Sequence, residues 1–145
     1  MARGDFQLFE EFIGRLGDGE HDMGNDVFKA MIITNTTPLA NQAAASFSTY
    51  SANEVGEFVG GYIDNGIDIN GTYSEADGVG SFDGDDIALS QNVNGFDDGY
   101  WLILYNDTNT SKYAVGFLDL GGPISQVDGP ININWGSSIF TITLS

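Results

Sequence analysis

The sequence predicts a mainly β protein: an antiparallel β-sandwich or jelly roll of about eight strands, preceded by one amphipathic α-helix. Helical periodicity occurs in residues 6–16, whereas the chain beyond residue 26 shows alternating polar and apolar residues or short apolar runs. From Gly60 onward, Asn-Gly and Asp-Gly dipeptides recur, and these supply the positive φ angles of tight turns. The dipeptides begin at Asn65, Asn70, Asp77, Asp83, Asn94, Asp98 and Asp128.

The opening segment FQLFEEFIGRL predicts the helix, from about residue 5 to residue 17. At about 100° per residue, its apolar side chains fall on one side and its polar side chains on the other. Asp5 can cap the N-terminus, and Gly17 ends the helix. We expect the apolar stripe to cover a sheet face, in the same protomer or in a partner. The stripe consists of Phe6, Phe9, Ile13 and Leu16.

The first long strand is predicted over residues 27–33, with Pro38 beyond its end. Residues 39–50 are small and polar and predict no definite element, and the spacing of Ser51 and Glu54 favours a short helical turn. Farther along, alternation predicts half-solvated antiparallel strands around three apolar groups. These groups are Ile67, Ile69 and Tyr73; Ile131, Ile133 and Trp135; and Phe140, Ile142 and Leu144.

Two segments are apolar on both sides, YWLILY at residues 100–105 and YAVGFL at residues 113–118. This pattern is typical of strands at the centre of a sheet, or of strands covered by a helix on one side. The polar loop from Asn106 to Lys112 predicts a hairpin between them.

The chain has 145 residues, of which 41% are hydrophobic and none is cysteine, and this composition predicts a single domain over residues 1–145. We expect the helix at about residues 5–17 and the β-sandwich at about residues 26–145. Four Lys and Arg stand against 21 Asp and Glu, a net charge of -17. Phosphate contacts need cations, so nucleic acid is excluded as a partner and an anionic membrane surface is disfavoured. The N-terminal residues lack the regions of a signal peptide, so secretion by that route is not expected.

Candidate catalytic chemistry is sparse, and we expect neither an enzyme nor a cofactor. His21, the single histidine, is flanked by Glu20 and Asp22, as a general base oriented by a carboxylate would be. The sequence has no nucleophile-elbow motif to accompany it. A loop imidazole between the helix and the first strand accounts for the same residues.

Most acidic residues stand beside Gly or Asn in predicted turns, where a short polar side chain bonds its own backbone. Calcium is the alternative interpretation, because carboxylate, amide and carbonyl oxygens are its preferred ligands. The weak calcium candidates are Asp83, Asp85 and Asp86, together with the stretch 64–70. The loop that Asp83 opens has Ala88 where the helix-loop-helix calcium motif requires glycine.

Three segments are distinctive when taken together: LGDGEHDMG at residues 16–24, the strand 27–34 followed by NTTP, and the hairpin segments LYNDT (104–108) and VGFLDLG (115–121). In these segments the chain resembles small structural proteins of tailed bacteriophages, and within that group the jelly-roll cement or decoration proteins of icosahedral capsids. The resemblance covers about residues 6–38 and 99–145. The glycine-rich middle departs from that pattern by its acidic residues at 83–86 and 97–98.

The resemblance implies a virion protein without catalytic residues, made in the host cytoplasm, that binds the major capsid protein on the outer face of the shell and bridges capsomers. A net charge of -17 agrees with the outer face, because packaged DNA would repel it. We also expect a homo-oligomer, a dimer before a trimer. The alternative is a phage tail or fibre module that binds a host-surface glycan through aromatic residues. The residues considered for that role are Trp101, Trp135, Tyr100 and Tyr105.

Overall fold

The computed structural model describes residues 4–143, which form ten β-strands in antiparallel sheets and two short α-helices. The prediction of a mainly β, antiparallel protein is confirmed. The strands are β1 (Gln7–Leu8), β2 (Phe28–Ile33), β3 (Ile67–Asp68), β4 (Thr72–Ala76), β5 (Val79–Asp83), β6 (Ile87–Leu89), β7 (Gly99–Asn106), β8 (Ala114–Ile124), β9 (Ile131–Ile133) and β10 (Phe140–Thr143). The helices are α1 (Phe12–Gly17) and α2 (Phe47–Tyr50), and a 3₁₀ turn (Ser51–Asn53) follows α2.

The largest sheet has five strands in the order β1-β8-β7-β2-β3, with β7 at its centre. Successive residues of β7 enter different core clusters: Leu102 and Leu104 pack on one face, and Ile103 and Tyr105 on the other. Residues that are apolar on both sides therefore lie in central strands, as the runs at 100–105 and 113–118 predicted. The hairpin between β7 and β8 is also confirmed.

The larger core cluster joins one face of this sheet to two smaller sheets, β10-β5-β4 and β6-β9. Phe28 of β2 contacts Phe82 of β5 edge-on, with ring centroids 5.1 Å apart. Phe82 in turn contacts Phe140 of β10 at 5.4 Å. Ile87 and Ile133 from the two-stranded sheet belong to the same cluster. Residues from all three sheets therefore share one apolar core.

The opposite face of the five-stranded sheet is covered by residues 39–50, for which the sequence predicted no definite element. Ala45 and Tyr50 from this segment pack in the smaller core cluster. Helix α2 begins with a capping box, in which the side chains of Ser46 and Thr49 each bond the other residue's backbone. The predicted helical turn after Ser51 is present as the 3₁₀ turn.

The helix predicted over about residues 5–17 is not formed over that range. Its first part is the short strand β1, and helix α1 starts only at Phe12. The reason is an alternation with period two: Phe6 and Leu8 pack against the larger core cluster, whereas Phe9 lies in the smaller one. A helix would have placed these side chains on one side, but the edge of the sheet accepts them as a strand.

Two other predicted strands differ in extent. Ile67 to Tyr73 is divided between β3 and β4, and Trp135 lies beyond the end of β9. The alternation from Phe140 is confirmed as β10, although Leu144 lies outside the described residues. Among residues 4–143, no helix has the length and apolar character needed to cross a membrane.

Candidate interaction surface

The segment from Gly4 to Phe9, here called the N-terminal arm, lies along the outer edge of β8. Backbone bonds join Gly4 N–H to the carbonyl of Asp119 (3.0 Å) and Phe9 N–H to that of Val115 (3.1 Å), with the β1 pairing between them. Gly116 permits this close approach, because a Cβ there would clash with the carbonyl oxygen of Gln7. The N-terminal arm can therefore pair with β8 only because residue 116 has no side chain.

The four residues of the predicted stripe have different environments. Phe9 is 2% exposed and contacts the rings of Tyr50 and Phe117. Phe6 and Leu16 are half-buried against the larger core cluster. Ile13 is 60% exposed on α1 and takes no part in either cluster. Three stripe residues thus cover apolar surface of their own chain, and Ile13 alone among them presents its side chain to solvent.

The three described cations are engaged within the chain. Lys29 and Lys112 both pair with Asp107, at 3.2 Å and 2.6 Å. The guanidinium of Arg15 stands 4.0 Å from the centre of the Tyr113 ring and 3.4 Å from the Glu11 carboxylate. The surface formed by residues 4–143 is consequently dominated by carboxylates.

The calcium candidates are not gathered into one site. In residues 4–143 no group of three or more acidic, His or Cys side chains is placed to hold a metal ion. Asp85 accepts a bond from the amide of Asn70 (2.7 Å), and Asp86 accepts one from the backbone of Trp135 (2.9 Å). Both carboxylates therefore join distant segments of the chain, whereas the sequence analysis expected acidic side chains to bond their own backbone. One oxygen of Asp83 is buried without a hydrogen-bond partner among the described residues.

His21 belongs to a buried polar cluster at the base of the β7–β8 hairpin. The side-chain oxygen of Asn106 accepts bonds from the backbone of Thr108 and Asn109, which fixes the orientation of the amide. Its nitrogen then donates to Asp26 (2.7 Å) and to Nδ1 of His21 (3.1 Å). Because Nδ1 accepts, the neutral ring carries its proton on Nε2.

This arrangement gives His21 a structural position. The residue is 4% exposed, and Nε2 has no hydrogen-bond partner among the described residues. Burial lowers the pKa of His21 below its ordinary value of 6.5, although the carboxylates of Asp26 and Glu20 act in the opposite direction. The imidazole also lies against the ring of Phe12, with centroids 5.4 Å apart. It joins α1 and the hairpin as a packed, neutral side chain.

A second buried polar contact anchors the loop before β3. The Tyr62 hydroxyl donates to the Glu54 carboxylate and accepts the N–H of Ile32 at 2.9 Å. Burial raises the pKa of Glu54, although the bond from Tyr62 opposes that shift. This contact attaches the loop to β2 next to the central strands.

The aromatic residues considered for glycan binding are mostly occupied in packing. Tyr105 is fully buried, and its hydroxyl donates to the carbonyl of Asn65. Trp101 is half-buried against Phe117, and the indole N–H of Trp135 donates to the carbonyl of Asp85 at 2.8 Å. Tyr100 is half-buried.

Strand β4 is a feature that the sequence analysis did not identify as functional. All five of its residues are exposed, and it forms the edge of its three-stranded sheet in the described part of the chain. A cleft of about 560 Å³ lies beside it, lined by Tyr73 from β4 and by residues between the end of α1 and β2. The signal available in the sequence was the Asp77-Gly78 turn, with the aromatic residues Tyr73 and Phe82 on either side of it.

Comparison of this chain with protein-family models, with curated proteins and with solved structures gives no match in any of the three.

Proposed function

We propose that this protein decorates the capsid of a tailed bacteriophage, where it binds the outer face of the shell and bridges neighbouring capsomers. One observation supports this most directly. The segments that resemble decoration proteins, about residues 6–38 and 99–145, are far apart in the sequence, yet they supply β1, β8, β7 and β2 as four adjacent strands of one sheet. The resemblance therefore covers most of the five-stranded sheet, and its second segment also supplies β9 and β10 of the two smaller sheets.

The strand pairing supports a jelly-roll-like β-sandwich as the finer description of the fold. A jelly roll can be regarded as one long antiparallel hairpin whose strand pairs are nested and rolled into two sheets. Here the β7–β8 pair is nested inside β6–β9, which is nested inside β5–β10. The pairing of β2 with β7 and the β4–β5 hairpin are additions to that nested series.

Charge favours the outer face of the shell over the inner one. The net charge is -17, and Arg15, Lys29 and Lys112 are already paired within the chain. A surface of this kind is repelled by packaged DNA but meets no such conflict outside. Attachment then depends on apolar and hydrogen-bonded contact with the major capsid protein.

Ile13 is the residue we assign first to that contact. It belongs to the apolar stripe of the N-terminal segment, but its side chain is 60% exposed on the six-residue helix α1. Glu10 and Glu11 precede Ile13 in the sequence, so an apolar contact made by Ile13 would lie beside negatively charged side chains. Neutralisation of such carboxylates by a divalent cation would assist binding.

Imaging of intact particles tests the proposal. Density for this chain over the whole capsid surface is the expected result, whereas density confined to the tail would favour the glycan-binding alternative and would refute decoration.

Occupancy on capsids stripped of this protein tests the mode of attachment. We expect retention to rise from about 10 mM to about 500 mM NaCl, because screening weakens repulsion between neighbouring acidic copies. Ile13→Asp should lower occupancy, with Val93→Asp, at a residue 79% exposed, as the matched control. A steep loss of binding with monovalent salt would mean attachment by ion pairs to a basic capsid surface.

A further inference from the structure

Strand β4 differs from the other edges of the described sheets. The edges of the five-stranded sheet are β1 and β3, each of two residues, and so short an edge offers little to a partner strand. β4 has five residues, all exposed, in an uninterrupted register with β5 from Thr72↔Asp83 to Ala76↔Val79. It is the longest edge strand among residues 4–143.

The turn at Asp77-Gly78 determines which backbone groups are free. Both residues have positive φ, 54° and 81°, as a two-residue type I′ hairpin requires, so Ala76 and Val79 form a hydrogen-bonded pair. Bonded and non-bonded pairs alternate along an antiparallel ladder, which makes Ser74↔Ser81 the next bonded pair. Tyr73 and Glu75 therefore direct their N–H and C=O groups to the open edge.

This edge lacks the usual devices that prevent strand addition. Lysine, proline and a bulge are all absent from β4. Its one charged side chain, Glu75, is turned back to accept the N–H of Gly78 at 2.8 Å. A strand exposed on both faces gains little from burial in its own chain, so its regular geometry suits pairing with another strand.

The core-facing side of β4 is also open. Tyr73 lies opposite Phe82 on that side and crosses Gly80, where a Cβ would meet the Tyr73 hydroxyl. Tyr73 is 42% exposed and lines the cleft that Met23 and His21 also line. A strand added at β4 would extend this face and cover the exposed side of the ring.

We infer that β4 pairs with β4 of a second copy of this chain, antiparallel about a two-fold axis that passes between the two Ser74 residues. In this register Tyr73 of each copy forms a hydrogen-bonded pair with Glu75 of the other, and the outward groups of both residues are satisfied. The two three-stranded sheets become one continuous sheet. The inference goes beyond capsid decoration and does not depend on it, because it concerns the isolated chain.

A second copy fits this edge better than a strand of arbitrary sequence for two reasons. Serine faces serine at the axis, where antiparallel side chains approach most closely and only small groups are accommodated easily. Glu75 faces tyrosine instead of another carboxylate, so like charges are not directly opposite, and the two Glu75 residues are only diagonal neighbours.

Sedimentation of the isolated protein tests the inference. We expect a dimer whose dissociation constant falls as NaCl is raised, since each copy carries a charge of -17. Glu75→Pro removes one outward N–H from each copy and should weaken dimerisation roughly ten- to hundredfold. Glu75→Gln keeps that N–H, so it is the matched control and should dimerise at least as tightly as the parent.

Cysteine cross-linking locates the axis independently, because the chain has no native cysteine. Ser74→Cys should form a disulfide-linked dimer under mild oxidation far faster than Val93→Cys, an exposed control position outside β4. A protein that stays monomeric, a dimer unaffected by Glu75→Pro, or equal cross-linking at the two positions would overturn the inference. Capture of a capsid-protein peptide at β4 by a monomeric protein would overturn it as well.

Discussion

Strands β7 and β4 differ in burial, although both are regular strands of the same chain. Most residues of β7 are buried, and its alternate side chains pack in separate core clusters on the two faces of the sheet. Every residue of β4 is exposed, and among residues 4–143 its single neighbouring strand is β5. Burial of both faces explains why β7 forms where it does, whereas β4 owes its regular geometry to a tight turn. The five-stranded sheet therefore supports the fold, whereas the edge of β4 is available for association.

The largest effect is expected from a charge placed inside the smaller core cluster. Phe9→Asp removes a ring that is 2% exposed and buries an unpaired carboxylate. We expect a loss of about 3–5 kcal/mol of unfolding free energy, or failure to fold, measured by urea denaturation. Ile13→Asp, at the exposed residue of the same segment, should change that free energy by less than about 0.5 kcal/mol. Equal effects of the two changes would contradict the assignment of Phe9 to the core.

The next largest loss of unfolding free energy is expected from a substitution of Asn106, at the end of β7. Asn106→Ala would leave Nδ1 of His21, the Asp26 carboxylate and two backbone N–H groups without their present partner. We expect a loss of about 2–4 kcal/mol in unfolding free energy, because buried polar groups then go unsatisfied. Asn134→Ala removes only one exposed turn bond and serves as control. A loss no greater than the control's would show that water replaces the amide.

A smaller, pH-dependent effect should come from His21. Burial lowers its pKa in the folded chain below 6.5, so the unfolded chain takes up the proton first as the pH falls. The contribution of His21 to stability is therefore present above 6.5 and declines as the pH falls below that value. The single histidine gives one Hε1 resonance in NMR titration, and a midpoint at or above 6.5 would contradict this account.

His21→Asn provides the control for that titration. It retains an acceptor for Asn106 near the position of Nδ1 but cannot be protonated in this range. The decline in unfolding free energy between about pH 7 and pH 5 should be shallower in this variant than in the parent. If the dependence of unfolding free energy on pH were the same in this variant and in the parent, titratable groups other than His21 would cause the decline.

Of the two strands compared, β4 should show the smaller loss of stability. Glu75→Pro should reduce the unfolding free energy of the dilute protein by less than about 1 kcal/mol, since the lost N–H faces away from β5. Ile103→Pro, in the centre of β7, should prevent folding by comparison. Comparable losses in the two strands, measured by urea denaturation, would remove the distinction between them.

The sequence was informative where burial imposes a pattern. Apolar runs and turn residues indicated the same strand boundaries in part of the chain. They predicted the central strands, the first long strand and the β7–β8 hairpin. The opening segment could not, since Phe6, Phe9 and Phe12 fit a helical period as well as they fit a short strand followed by a helix. The opening segment begins as a strand because a distant residue, Gly116, lets the N-terminal arm approach β8.

The candidate surfaces were predictable only in part. Ile13 was identified as a stripe residue, but its exposure depends on where α1 begins. The break between β3 and β4 was not predicted, because polar and apolar residues continued to alternate across Asn70. The Asn-Gly dipeptide at that position indicated a turn, and Asn70 has a positive φ of 50°. The open edge of β4 follows from sheet order, which no local pattern encodes.

Hydrogen exchange at β4, measured residue by residue as a function of protein concentration, tests most directly whether this edge is an association surface. The amides of Thr72, Ser74 and Ala76 bond β5 and should be protected at every concentration. The amides of Tyr73 and Glu75 face the open edge, so they should exchange rapidly in dilute protein and become protected as dimers form. Protection of Tyr73 and Glu75 that is independent of concentration, or rapid exchange at concentrations where the protein is dimeric, would contradict the account.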